Sequence, residues 1–108
     1  MTSDPEAPRV TVRRLLEVPR FRLRLVAGEG GLDRPVRWAH STELLDPGPY
    51  LRGQEIVLTV GSSLRDAEAC RIFAGSVKAG RATAIGYGVG DVTPTVPDAL
   101  CQGCRRLG

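Results

Sequence analysis

The single histidine of this chain, His40, opens the run His40-Ser-Thr-Glu43, and Asp46 follows three residues later. Imidazole, hydroxyl and carboxylate groups together can recognise a polar heterocycle or a carboxylate-bearing small molecule. A second polar end follows the apolar run Glu55-Ile-Val-Leu-Thr-Val60, where Thr59 and Gly61 close what reads as a strand. Two strand ends with small and ionisable groups beside them make a natural recess for a ligand. The expected contacts are His40, Ser41, Glu43, Asp46, Thr59 and Gly61. Gly86 and Gly88, in the loop after a further strand, would border the same recess. The plainer alternative is that His40 and Glu43 simply pair, or cap the turn that follows.

Catalysis fits these residues poorly. A nucleophile needs a base within hydrogen-bond reach, and Ser41 adjoins His40, so on a strand the two point to opposite faces. Gly86-Tyr-Gly-Val-Gly90 lacks the third glycine of a dinucleotide loop, because Asp91 stands there and Pro94 separates it from the next helix. It reads as a tight turn. Cys101-Gln-Gly-Cys104 has the spacing of half a zinc site, but no second short-spaced pair accompanies it. The expectation is two free thiols, no metal, no cofactor and no enzymatic activity.

The 108 residues correspond to one domain. Hydrophobic residues at 42% and charged residues at 25% suit a water-soluble core-forming chain. No apolar run approaches the roughly 20 residues a membrane helix needs, and Met1 to Pro8 has no secretory pattern. A cytoplasmic location is therefore expected, with residues 1–9 as a flexible tail and 10–108 as the domain. Fourteen of the 15 basic residues are arginine and the net charge is +3. The arginines are interleaved with apolar residues and acids rather than forming the dense stripe of a DNA-binding domain. The odd count of three cysteines argues against a disulfide framework.

The elements that must position the polar cluster can be read in order. Thr11 caps a short helix through Leu16, stopped before Pro19. Arg22 to Ala27 and Pro35 to Ser41 read as two strands of a hairpin around the Gly-rich segment 28–34, with Trp38 as a packing aromatic. Glu55 to Val60 reads as a strand buried on both faces. Ser62 or Ser63 would cap the next helix, Ser63 with Asp66 having the form of a capping box. Leu64, Ala67, Cys70, Phe73, Ala74 and Val77 fall on its inner face, and Gly80 stops it. Ala82 to Gly86 is a short strand, and Thr95-Val-Pro-Asp98 opens a last helix. The expected fold is α/β, a small mixed sheet made of a leading hairpin plus a βαβ crossover, with flanking helices. The C-terminal segment suggests a domain cut short.

Several runs resemble the N-terminal domain of the purine catabolism regulator (PucR-type) transcriptional regulators. They are Thr11-Val-Arg-Arg-Leu-Leu16, Ala27-Gly-Glu-Gly-Gly-Leu-Asp-Arg-Pro-Val-Arg-Trp38, His40-Ser-Thr-Glu43 with Asp46-Pro47, Tyr50-Leu-Arg-Gly53, Glu55-Ile-Val-Leu-Thr59 with Gly61, and Gly86-Tyr-Gly-Val-Gly90. The resemblance covers nearly the whole chain after the tail, and Gly31 to Trp38 with His40 and Glu43 is its specific part. It implies a cytoplasmic bacterial regulator whose N-terminal module senses an effector or mediates regulation. DNA would be bound by a helix-turn-helix outside this chain. The partners expected on that footing are a small-molecule effector, such as a purine-degradation intermediate, and a second copy in a homo-oligomer, with no membrane. The alternatives are a dimerisation module without a ligand, and a small enzyme or metal protein.

Overall fold

The computed structural model describes residues 10–90 and 92–107; the expected tail, residues 1–9, lies outside them. Thr11 opens the first helix as its sequence predicts. Its backbone is extended, and its hydroxyl accepts the Arg14 N–H at 3.2 Å, so α1 spans Val12–Leu16. The start of α1 is tied to the segment before the first strand. Arg13 N–H reaches Leu32 O at 2.7 Å, Val36 N–H reaches Val10 O at 2.8 Å, and Thr11 bridges Pro35 antiparallel.

The sheet has three strands, β1 (Trp38–Ser41), β2 (Glu55–Thr59) and β3 (Ala84–Tyr87), in the order β1-β2-β3. Both pairings are parallel, with His40 beside Val57 and Val57 beside Ile85. The α/β class and the strand–helix–strand unit agree with the sequence. The leading hairpin does not. Arg22 turns left-handed (φ 52°) after a 3-10 turn at Pro19–Phe21, and 23–27 pairs with no strand. Its alternating arginines and apolar residues have a strand's period but pair with neither edge of the sheet, and Leu23 and Val26 stay exposed. Pairing instead goes forward to β2. A parallel pair needs a crossover of a dozen or more residues, and the segment between Ser41 and Glu55 supplies it with a single 3-10 turn, Gly48–Tyr50. That turn packs on the following helix so closely that a Cβ on Gly48 would sit 2.7 Å from Ser76 O.

Helix α2 spans Ala67–Ala79 and ends at Gly80. Its cap is Asp66, whose carboxylate accepts the Ala69 N–H at 2.8 Å; neither Ser62 nor Ser63 serves. Both serines are instead engaged by Glu43. Cys70, Phe73, Ala74 and Val77 form the buried face, joined by Leu64, by Val57 of β2 and by Leu100 of α3 (Asp98–Leu107); Ala67 is exposed. Burial of Val57, Leu64, Phe73, Val77 and Leu100 contributes about 1.5–3 kcal/mol each. The helices cover the Val57 face of the sheet. The opposite face carries Ile56 half-buried and Leu58 37% exposed, so β2 is not buried on both sides as its apolar run suggested. Trp38, expected as a packing aromatic of the core or hairpin, is 45% exposed.

Candidate functional site at the two ends of the sheet

At the carboxyl ends of β1 and β2, Glu43 and Thr59 come together. The Glu43 carboxylate accepts from the Thr59 hydroxyl (2.8 Å), Val60 N–H (3.0 Å), Ser62 N–H (3.1 Å) and the Ser62 hydroxyl (2.9 Å). Its own carbonyl accepts a short bond from the Ser63 hydroxyl. Thr59 Oγ1 in turn accepts the Gly61 N–H at 3.1 Å. One side chain thus clasps the whole turn between β2 and α2. Burial pushes the Glu43 pKa up, but the Val60 N–H, the Thr59 and Ser62 hydroxyls and the Ser62 N–H outweigh it and hold the carboxyl below its usual range.

Gly61 is demanded at this turn. Its φ is +82°, and a Cβ there would lie 1.9 Å from the Tyr87 hydroxyl, which shares a 2.8 Å bond with Thr93. Gly88 borders the same turn, its N–H on Thr59 O at 2.8 Å and its α-carbon facing Val60.

The remaining predicted residues are dispersed. His40 is half-buried on the Val57 side of β1, and its imidazole makes no hydrogen bond among the described residues; it does not pair with Glu43. Ser41 is exposed at the end of β1. Asp46 accepts a short bond from the Ser76 hydroxyl, which itself accepts Gly48 N–H at 2.7 Å, so it fastens the crossover to α2. Gly86 lies on the sheet's other face, where a Cβ would meet Leu58 Cδ2 at 2.6 Å. The eight residues therefore form one tight polar junction (Glu43, Thr59, Gly61, with Gly88 beside it) and four separate positions. Gly86 and Tyr87 belong to β3, so the expected tight turn does not span Gly86–Gly90; the chain leaves the strand only at Gly88 and bends at Gly90 (φ +107°).

Sequence reasoning missed the other end of the sheet. Glu55, first residue of β2, is 2% exposed. Its carboxylate accepts Gly53 N–H at 2.8 Å and the Arg52 N–H in a short bond. Burial raises its pKa, and the N–H groups of Arg52, Glu55 itself and Gly53, with the Trp38 indole, more than reverse that. A charged residue leading an apolar strand was the available signal, since buried charges occur where donors await them.

Above this carboxylate lies an open cleft of about 530 Å³, lined by Arg34, Arg37, Trp38, Arg52, Gln54 and Arg81 among others. It is at the amino ends of the strands, opposite to the recess expected from the sequence. Cys70 is buried and Cys101 and Cys104 are half-buried, all three as free thiols. Burial foremost raises the pKa of Cys70 and of Cys104, so neither is an activated nucleophile.

The sequence model of the "Purine catabolism regulatory protein-like family" matches residues 14–108. The chain belongs to that family. Among curated proteins, the chain is similar to the transcriptional activator PmfR of Paenarthrobacter nicotinovorans, 46% identical over 52 residues. That match covers 48% of this chain and 11% of the activator's length. No solved structure matches. No described helix is long and apolar enough to cross a membrane.

Proposed function

We propose that this chain is a non-catalytic regulatory module of a cytoplasmic bacterial transcription regulator. It responds to a small-molecule effector and leaves DNA contact to a helix-turn-helix outside this chain. The observation that carries the reading is the family match over 14–108, in company with a relative that is a transcriptional activator. The geometry supplies the element that would transmit a signal. Glu43 from the β1 side holds Val60 to Ser62, the turn that feeds α2. An effector whose polar groups exchange for those bonds would release the turn and shift α2. Such a ligand moves the equilibrium only by its difference in affinity for the two arrangements.

Thermal unfolding with allantoin, urate and hypoxanthine tests this. Saturation at 100 times Kd raises stability by about 2.7 kcal/mol when only the folded state binds, and the Val60 and Ser62 amides should exchange faster in the complex. Unchanged melting with every such metabolite overturns effector sensing by this module.

A second reading, dimerisation without a ligand, has its own support. No strand pairs with the outer edge of β1 among the described residues, and Leu58 is exposed on the uncovered face. Unpaired edges invite another chain. A sedimentation coefficient that rises with concentration, and returns to the monomer value in Leu58→Lys, would favour it.

A further inference from the structure

We propose that the cleft at the amino ends of the strands is a binding site for a compact oligoanion, a metabolite carrying two or more phosphate or carboxylate groups. The proposal rests on the cleft alone and does not require the effector reading above.

Three neighbouring strand entrances bring the cations together. Arg37 N–H donates to Gln54 O, and Gln54 N–H donates to Arg81 O, both at 2.8 Å. The backbone of Gln54 thus spaces Arg37 on one side from Arg81 on the other. Arg52 stands two residues before Gln54, and Arg34 lies on the rim. All four are exposed. No acidic side chain lines the cleft among the described residues, and no described carboxylate forms an ion pair with Arg37, Arg52 or Arg81. Arginines gathered around one cleft attract an arriving counter-charge. Guanidinium forks match carboxylate and phosphate oxygens two at a time.

The wall that carries these arginines is held in an uncommon conformation. Gln54 (φ 65°) and Arg81 (φ 62°) are both left-handed without being glycine, and Gly53 between Arg52 and Gln54 is at φ 103°. Such residues persist where the surroundings over-determine them, and they cluster at ligand clamps. Here the buried Glu55 carboxylate fixes the loop by taking the Arg52 and Gly53 N–H groups. Thr83 closes the floor, its N–H on Glu55 O at 2.7 Å and its hydroxyl on Pro35 O. The cleft's size lies in the range of small-molecule sites, about 300–1,000 Å³.

Trp38 is the only tryptophan of the chain and lines the cleft, so its fluorescence reports occupancy directly. The full chain would be titrated at near-physiological salt with pyrophosphate and with citrate, which separate a phosphate ligand from a carboxylate one. Saturable change with either supports the proposal and names the source. Arg37→Gln and Arg81→Gln should each weaken that binding roughly tenfold, while Arg65→Gln, outside the cleft, leaves it unchanged. Circular dichroism of each variant certifies the fold, and Arg52→Gln provides a third reading should either fail to fold. Absence of saturation with both probes overturns the proposal, as does equal affinity in folded cleft variants. Stronger binding of short duplex DNA than of either probe, lost equally in Arg65→Gln, also overturns it in favour of a general polyanion surface. None of these outcomes bears on allantoin, urate or hypoxanthine, so the failure of one proposal is distinguishable from the failure of the other.

Discussion

Glu43 at the carboxyl ends of the strands and Glu55 at their amino ends are both satisfied by backbone N–H groups, with different results. Glu43 comes in from across the sheet and uses its oxygens on the turn into α2, closing that end with its own side chain. Glu55 folds back on the loop just before it and disappears beneath Trp38, leaving Arg37, Arg52 and Arg81 exposed above. At one end the carboxylate is occupied by the chain's own donors, while the other end holds exposed arginines on a fixed frame. Acidic and hydroxyl groups near a strand end therefore do not by themselves mark a ligand site; what they have left to offer decides.

The largest expected effect separates the two glutamates. Glu55→Ala removes a buried acceptor from the Arg52 and Gly53 N–H groups and should destabilise the fold by about 3 kcal/mol, since unsatisfied buried donors cost about 1–3 kcal/mol each and partly relax to water. Urea unfolding measures it, and an unchanged midpoint would break the contrast. Gly61→Ala comes next. It places a Cβ at φ +82° against the Tyr87 hydroxyl, and should cost about 2 kcal/mol from backbone strain and the displaced Tyr87–Thr93 bond. Glu43→Gln should cost about 1 kcal/mol, because the clasp is solvent-exposed and the amide keeps one acceptor.

How far the sequence leads differs between the ends in the same way. Short-range signals are legible: the Thr11 cap, the inner face of α2 from Cys70 to Val77, and the stop at Gly80 are each decided within a turn or two of chain. The convergence of Glu43 with Thr59 was also legible, because both lie at the ends of adjacent apolar segments. What the sequence hid depends on partner choice. The period of Arg22 to Ala27 suits a strand, yet nothing local tells whether an edge awaits it. Ser63 with Asp66 looks like a capping box, but the serine hydroxyl goes to Glu43 O, a residue far away in the chain. The arginine cleft combines residues from three separate entrances to the sheet. It becomes visible only when the parallel register sets Arg37, Gln54 and Arg81 side by side. His40 and Asp46 show the converse, a tight sequence cluster that the backbone fans out onto different neighbours.

Lowering pH probes both glutamates together. Each has a folded pKa below its unfolded value, which is about 4.3. Each therefore contributes stability that is fully present above that value and is lost as pH falls through the folded pKa. Unfolding free energy should drop from pH 5 downward, and the drop should be shallower in Glu55→Gln and in Glu43→Gln, because each lacks one of the linked carboxyls. Parallel pH profiles for wild type and both variants would mean that other groups govern acid unfolding.

The smallest effect tests whether the exposed positive charge belongs to the cleft alone. Asp33 pairs with Arg13 at 2.9 Å beside Arg34, with both side chains largely exposed. The Arg13 hydrogen bond, then its charge, holds the Asp33 carboxyl below the usual range, but exposed pairs of this kind add little to folding. Asp33→Asn should leave the urea midpoint where it is. It also removes a negative charge from the neighbourhood of the arginine end, so pyrophosphate or citrate binding should tighten slightly at low salt. At physiological ionic strength the Debye length is about 8 Å, and the gain should fade. A gain that persists at high salt would place Asp33 in contact with the ligand and enlarge the site. A loss of affinity would show that the Arg13–Asp33 pair shapes the loop from Leu32 to Pro35, and that this end of the sheet depends on more than Glu55 for its form.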